Sequence, residues 1–247
     1  QADAMQKLTP MFLLSYKKDG WIFRAFHKRI FRAPTLNDLY YTLVGNTKLN
    51  PEYTSQWDAG IDYKGKRFHF AVDGYYNHID DKIVAIPMKC QFRWSMVNFG
   101  KVKSYGASFS GGYNQDWGKF SLAANANYTY QIDKDYTMPS DPEYKNYIPY
   151  SPMHSGSVIL DLGYDSYSLC TSFLYTGERF ALVSNNADDL LGDWYTIDLK
   201  LNKRFKIGKH VLQTTLECNN LTDSRHEVVK RYPMPGRNWK CTVKFEL

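Results

Sequence analysis

The sequence predicts an all-β protein, an antiparallel transmembrane β-barrel with about eleven strands in this chain. Three observations carry this prediction: apolar and polar residues alternate strictly, the alternating segments are long, and the connections between them alternate between short and long. One face of residues 55–63 carries Trp57 and Ile61, whereas the other face carries no hydrophobic side chain. A period of two residues is that of a β-strand whose faces meet two different environments.

The alternation recurs along the whole chain, and each recurrence predicts a strand. The predicted strands are 8–17, 21–31, 54–63, 67–78, 99–113, 119–132, 153–164, 167–176, 194–204, 210–219 and 237–247. Most have about ten residues, which is the length that a tilted strand needs to cross a bilayer and more than a soluble sheet uses. We expect odd-numbered residues of 55–63 and 237–247, and even-numbered residues of 120–132, to face lipid.

The connections between the predicted strands come in two kinds. The short ones are 17–20, 64–67, 114–119, 164–167 and 205–210, and the long ones are 32–53, 79–98, 133–152, 177–193 and 220–236. Barrels of the outer membrane have short periplasmic turns at one end and longer external loops at the other. A soluble β-sandwich also predicts alternation, but it predicts neither long strands throughout nor this rhythm.

Composition and motifs exclude several other classes. No run of 18 apolar residues predicts a spanning helix. A net charge of +6 without a block of Lys and Arg does not favour a nucleic-acid partner. No hydrolase, zinc-protease or nucleotide-binding motif is present, so we expect no enzyme activity. An outer-membrane hydrolase would have only His78 and His226 as loop-edge histidines.

The four cysteines, Cys90, Cys170, Cys218 and Cys241, lack the spacing of a zinc or redox site. We predict unpaired thiols. A bridge between Cys218 and Cys241 is the alternative, because these residues fall at a similar level of two adjacent strands.

Residues 31–63 carry the most specific motif. It reads F-R-A-P-T-L-N-D-L-Y from Phe31, then G-N-T-K-L-N-P-E from Gly45. Pro34 lacks an amide hydrogen, so it is expected to end strand pairing. The turn at Gly45 and Asn46 is expected to tolerate a positive φ. Pro51–Glu52 is expected to begin the next strand. Arg32 is predicted to reach a carboxylate in the loops, so loop architecture is favoured over ligand contact for the motif.

Both this motif and the ending "NNLTDSRHEVVKRYPMPGRNWKCTVKFEL" resemble the C-terminal part of TonB-dependent outer-membrane receptors. The likeness is to cobalamin-type and siderophore-type receptors, in a form similar to those of Bacteroidetes. It implies that residues 1–247 form the C-terminal half of a 22-stranded barrel, without the N-terminal plug and the first strands. Strand 237–247 is then expected to pair with 210–219 and to leave its other edge for another segment of the full protein, because an open edge in lipid leaves backbone groups unpaired.

The resemblance also implies a function, a location and partners. The function is TonB-dependent active import of a scarce ligand, cobalamin or another corrinoid or a ferric siderophore, across the outer membrane of a Gram-negative bacterium. Haem import, oligosaccharide import and a passive channel or structural barrel are the alternatives; haem is disfavoured because residues 35–49 contain no His. The implied partners are the TonB complex through the N-terminal region, the rest of the barrel, a surface lipoprotein, and lipid or lipopolysaccharide.

A large, partly planar solute is held well by aromatic rings and fork-shaped donors. The candidate ligand-binding residues on the long loops are Arg32, Tyr40, Tyr41, Arg93, Trp94, Tyr144, Tyr147 and Arg179. We expect no catalytic residue, no structural metal and no resident cofactor. Calcium bound by Asp80–Asp81 or Asp188–Asp189 is the alternative, because both acidic pairs are predicted to lie on loops.

Overall fold

The structure, a computed structural model, describes residues 7–87 and 93–246. Its elements in chain order are β1 (Met11–Lys18), β2 (Trp21–Arg32), α1 (Leu36–Tyr40), β3 (Glu52–Lys64), β4 (Phe68–Pro87), β5 (Trp94–Trp117), β6 (Phe120–Asp135), β7 (His154–Tyr164), β8 (Tyr167–Thr176), β9 (Arg179–Phe180), a 3₁₀ turn (Ala187–Asp189), β10 (Leu190–Leu191), β11 (Trp194–Ile207), β12 (His210–Asn219), β13 (Glu227–Val229), β14 (Tyr232–Pro233) and β15 (Asn238–Glu246). Cys90 lies outside the described residues.

Eleven of these strands form one antiparallel sheet, in the order β1-β2-β3-β4-β5-β6-β7-β8-β11-β12-β15. Each corresponds to a strand predicted from the sequence. Among the described strands, β15 pairs with β12 and β1 pairs with β2, and these two end strands do not pair with each other. The sheet is therefore an open segment of a barrel and not a small closed one. Within the same residues, no helix is long and apolar enough to cross a membrane.

The turns at one end are tight, and their residues explain why. Most connect the strands with two residues, as at Asp19–Gly20 between β1 and β2. Asp19 and Gly20 both have positive φ, at 49° and 85°. This is the backbone of the primed turns whose twist matches that of the strands they join, and Asp-Gly is one of their preferred pairs. The short turns are thus encoded locally.

The two faces of the sheet differ as the alternation predicts. Direct pairing places Trp57 with Tyr76, and Tyr76 with Tyr105, in one row that crosses three strands. This row belongs to a mostly apolar face that continues across the sheet. Its side chains are exposed, Trp57 by 56%, because lipid is their expected neighbour. Leu122 pairs with Leu162 on the same face. This outward face confirms the predicted register of β3 and β6.

The opposite, inward face is polar. Arg24 lies on β2 with its guanidinium between the carboxylates of Asp62 on β3 and Asp73 on β4, forming an ion pair with each. Such pairing compensates charges that point into the barrel instead of into bulk water. Polar inward residues and apolar outward residues are the arrangement of an outer-membrane barrel.

Two strands, β4 and β5, are much longer than predicted. β4 continues to Pro87, and β5 begins at Trp94. The segment 79–98, which was predicted as a loop, is therefore mostly a paired ribbon that extends past the membrane level. Asp80 and Asp81 therefore lie within β4, and the prediction that this acidic pair belongs to a loop is wrong. The strict alternation is lost in the sequence "KIVAIP" (82–87), although pairing continues.

A tightly packed apolar cluster that involves a loop lies on the inward face near this ribbon. Ile79 and Val102 pair across β4 and β5, and Ile148 from the loop between β6 and β7 packs on them; their exposures are 7%, 0% and 4%. The loop thus folds inward over the barrel wall, and burial of these side chains keeps it there.

Candidate functional site

The candidate site is the layer of connections at the long-loop end, which we call the loop layer. It consists of residues 33–51, the outer part of the β4–β5 ribbon, and residues 136–153, 177–193 and 220–237. Loops that lie on a rigid sheet are where barrels of this architecture bind solutes.

The first loop is organised around Asp38. Helix α1 begins with a capping box, in which the Thr35 hydroxyl accepts from the Asp38 amide and the Asp38 carboxylate accepts from the Thr35 amide at 2.9 Å. Arg32 approaches the same carboxylate at 3.1 Å and Glu52 at 3.6 Å. This confirms the prediction that Arg32 reaches a carboxylate. Arg32 ties the end of β2 to the start of β3.

The environment of Asp38 sets its protonation. Burial alone would raise the pKa of this carboxyl, but the two hydrogen bonds with Thr35 and the charge of Arg32 hold its pKa below the ordinary value. At neutral pH the Asp38 carboxylate is therefore ionised in the folded loop, and its charge helps to stabilise the loop.

The turn after α1 differs from its prediction in one respect. The residue with positive φ is Leu43, at 66°, and not Gly45 or Asn46. Gly45 is required for a different reason: a Cβ there would lie 2.7 Å from the carbonyl carbon and oxygen of Leu39. Pairing of β2 ends at Arg32 and β3 begins at Glu52, as predicted from Pro34 and from Pro51–Glu52.

The first loop is bonded to the β4–β5 ribbon. The Met96 amide donates to the Val44 carbonyl at 2.9 Å, and the Asn46 side chain donates to the Met96 carbonyl at 3.0 Å. The Asn50 amide donates to the Asn98 side chain at 2.9 Å. The loop that carries Tyr40 and Tyr41 and the ribbon that begins at Trp94 therefore form one unit.

The ribbon contacts the next loops in turn. The Trp94 ring packs against the Tyr150 ring with centroids 5.4 Å apart, and the Tyr150 amide donates to the Phe180 carbonyl at 2.8 Å. The Asn146 and Asn185 side chains hold loops 136–153 and 177–193 together through backbone carbonyls. These asparagines were not predicted as loop-tying residues.

Arg179 joins the last two loops. Its exposure is 4%, and its guanidinium donates to the carbonyls of Glu227 at 2.5 Å and Val228 at 3.2 Å. A further, longer bond reaches the Gly192 carbonyl at 3.4 Å. Burial lowers the pKa of Arg179 from its ordinary value, and the neighbouring Tyr150 acts against this shift. The donors of Arg179 are used within the loop layer.

Asp189 is also engaged by neighbouring side chains. Its carboxylate accepts from Lys230 at 3.0 Å and from the Ser184 hydroxyl at 3.0 Å. Within residues 7–87 and 93–246, no cluster of three or more His, Cys, Asp or Glu side chains is arranged to hold a metal ion. Cys170, Cys218 and Cys241 are free thiols. Cys241 lies opposite Leu216, two residues from Cys218 along β12.

The predicted ligand-binding residues separate into two groups. Tyr40 and Tyr41 are exposed by 67% and 63%, and Arg93 is exposed as well. Tyr147 forms an isolated β-bridge with Lys134, and the Lys134 ammonium lies over the Tyr147 ring. The same ring stacks on Phe180, with centroids 6.0 Å apart. Tyr144 packs edge-on against Tyr136.

The structure therefore does not bring all eight residues together. Tyr144, Tyr147, Trp94 and Arg179 hold the loops against one another, and Arg32 closes the first loop. The rings that remain available to a solute are those of Tyr40 and Tyr41. Their availability could be predicted from the sequence, but the engagement of the other residues could not, because it depends on loops distant in the chain.

An antiparallel membrane barrel segment with tight turns at one end and mutually bonded loops at the other defines a class: the outer-membrane β-barrel receptors. The family model described as "TonB dependent receptor-like, beta-barrel" matches residues 2–221. The chain belongs to this family, whose members are receptors and transporters. It is part of an outer-membrane protein of a Gram-negative bacterium.

The chain is similar in sequence to one transporter and in fold to two solved structures. The chain is 23% identical over 220 residues to the vitamin B12 transporter BtuB of Vibrio vulnificus, covering 87% of this chain and 33% of the transporter. Its fold is similar to that of the copper transporter OprC, with TM-score 0.71, 15% identity, and coverage of 97% of this chain and 39% of that one. It is also similar to BauA, the ferric preacinetobactin receptor from Acinetobacter baumannii, with TM-score 0.72, 12% identity, and coverage of 97% and 36%. The chain thus spans about a third of the relatives that it matches.

Proposed function

We propose that this chain is the C-terminal part of a receptor that imports a scarce ligand, a corrinoid or a ferric siderophore, with energy supplied through TonB. The observation that carries the proposal is the family match over residues 2–221 on a barrel whose loops form one bonded layer. The remaining strands and the plug belong to the part of the receptor outside residues 1–247, as does contact with the TonB complex.

Between the two ligands, the corrinoid is favoured. The sequence relative reported above is a vitamin B12 transporter. The similar structures include carriers of copper and of iron chelates, so they support metal-complex import in general. A passive channel would not require loops tied to one another through Arg179, Asn146 and Asn185, because such ties restrict the external opening.

We assign ligand contact to Tyr40 and Tyr41, with Arg93 as a supporting cation. The two rings are exposed at the end of a helix whose start is fixed by the Asp38 capping box. A short, capped helix presents aromatic rings with little loss of conformational entropy on binding, and planar ligands stack well on such rings. Calcium has no assigned role in this proposal.

Titration of the full-length receptor with cyanocobalamin, haem and a ferric catecholate tests the proposal. We expect the corrinoid to bind most tightly. Replacing Tyr40 and Tyr41 together by Ala should weaken that binding about tenfold or more, since each stacked ring contributes about 1 kcal/mol. The matched control is Tyr232→Ala, which removes an exposed ring from the last loop. Absence of corrinoid binding would refute the favoured ligand.

A further inference from the structure

The short turns at the tight end of the sheet carry most of the positive charge of this chain. The five short connections identified in the sequence together contain eight Lys or Arg and three Asp. Their net charge is therefore +5, whereas the net charge of the whole chain is +6. We call these eight cations the basic turn rim; they are Lys17, Lys18, Lys64, Lys66, Arg67, Lys119, Lys206 and Lys209.

The opposite end of the sheet does not share this excess of cations. Loops 33–51, 136–153, 177–193 and 220–237 together contain seven Lys or Arg and nine Asp or Glu. The positive charge is thus concentrated at one end of the barrel wall. Because the short turns of outer-membrane barrels lie in the periplasm, the basic turn rim faces the periplasm.

The cations of the basic turn rim are not neutralised by the described part of the protein. All eight are exposed. None of them forms an ion pair with any residue of 7–87 or 93–246. Arg24 on the inward wall, in contrast, is paired with two carboxylates. Exposed charges of one sign that lie close together attract counter-charged partners.

The directions of the side chains indicate from which side a partner reaches the rim. Tyr63 and Phe205 lie on the outward face near the ends of β3 and β11. The next residues, Lys64 and Lys206, lie on the inward face, because successive side chains of a strand point to opposite faces. Lys66 lies in the connection between β3 and β4. A partner in the aqueous periplasm therefore reaches these cations more directly than a lipid headgroup beside the outward rings.

The basic turn rim is extended and not compact. Its members belong to four turns, and the first and last of these turns are eight strand spacings, about 40 Å, apart along the wall. A single exposed ion pair contributes little to binding, so a dispersed row of cations binds well only when many contacts form together. Such a row fits an extended polymer with many acidic groups better than a small anion.

We propose that the basic turn rim binds peptidoglycan through the free carboxylates of its stem peptides. Peptidoglycan is the extended polyanion on the periplasmic side of an outer membrane, and ammonium and guanidinium groups form charge-assisted hydrogen bonds with carboxylates. The contact would hold the receptor against the cell wall. It lies at the opposite end from the loop layer and does not depend on which solute the receptor imports.

Cosedimentation of the full-length receptor, in a neutral detergent, with purified peptidoglycan sacculi measures this interaction. We expect saturable binding that weakens several-fold between low salt and about 0.3 M NaCl, because salt screens exposed charges. Sacculi whose carboxylates have been converted to amides should bind about tenfold more weakly or less. The variant Lys66→Gln/Lys119→Gln/Lys209→Gln, which removes one cation from each of three turns, should lose about tenfold in affinity for native sacculi.

A matched control and a charge-preserving variant separate the rim from general charge effects. The control Lys48→Gln/Arg225→Gln/Arg231→Gln removes three exposed cations from the loops at the other end and should bind normally. Replacing the three turn lysines by Arg should retain the affinity. Equal binding of native and amidated sacculi, or equal losses in the test and control triples, would overturn the proposal. Unchanged sacculus binding by the test triple, with loss of co-purifying phosphatidylglycerol, would also overturn it and would assign the rim to lipid headgroups.

Discussion

Arg179 provides the sharpest test of how the loop layer is held together. The substitution Arg179→Met keeps much of the length and apolar volume of the side chain but removes every donor. The guanidinium is 4% exposed and makes its two shortest bonds to the Glu227 and Val228 carbonyls. A hydrogen bond from a charged group contributes about 1.5–3 kcal/mol, so loss of the pair should lower the free energy of opening of loop 220–237 by about 3 kcal/mol.

Hydrogen exchange of the full-length receptor, followed by mass spectrometry, measures this change. We expect exchange of the amides around 226–233 to accelerate roughly a hundredfold, because 1.4 kcal/mol corresponds to a factor of ten. Amides of β11 and β12 should keep their protection, since their pairing does not involve Arg179. Arg225→Met is the control: it removes an exposed arginine from the same loop. Unchanged exchange at 226–233 in Arg179→Met would refute the structural role of this residue.

Three further predictions follow from the fold. Leu122→Arg should destabilise the barrel by about 2–4 kcal/mol in unfolding titrations, whereas Asn125→Arg, on the inward face of the same strand, should be nearly neutral; the reverse order would contradict the register of β6. Because its pKa is lowered in the folded state, Asp38 stabilises the first loop at pH values above its ordinary pKa of about 4, and this contribution should be lost as the pH falls through the folded pKa. Amide exchange around 35–46 should therefore accelerate on acidification. Asp38→Asn should abolish that pH dependence. Gly45→Ala should loosen the same loop at neutral pH without affecting β2–β3 pairing, since its Cβ would meet the backbone of Leu39; unchanged exchange would show that this backbone moves without cost.

The agreement between prediction and structure is closest where structure is local. β3 was predicted over 54–63 and is observed over Glu52–Lys64. The agreement is close because the polarity of each residue in a strand indicates the face on which its side chain lies. The connection at 17–20 was likewise predicted to be short, and the structure shows a tight turn at Asp19–Gly20 with the backbone that this pair favours. Within the first loop, Arg32 and Asp38 are only six residues apart, so their contact was also accessible to sequence reasoning.

The disagreements occur where distant segments meet. The ends of β4 and β5 pair with each other beyond the membrane level, and the first loop is bonded to them. There the two faces do not separate lipid from lumen, so apolar and polar residues need not alternate. Arg179 was predicted to contact a ligand because fork-shaped donors suit a large, partly planar solute. Its partners Glu227 and Val228 lie almost fifty residues further along the chain, and no local pattern indicates them.

The sequence by itself determined the class of fold, the eleven strands, the face that β3 and β6 turn to lipid and the end at which the loops lie. These follow from a two-residue period and from turn residues, which depend on nearest neighbours in the chain. Only the tertiary structure decided which loop residues are engaged with one another and which rings remain exposed. Such properties depend on register between strands and on contacts between loops, so they exist only once the sheet has assembled.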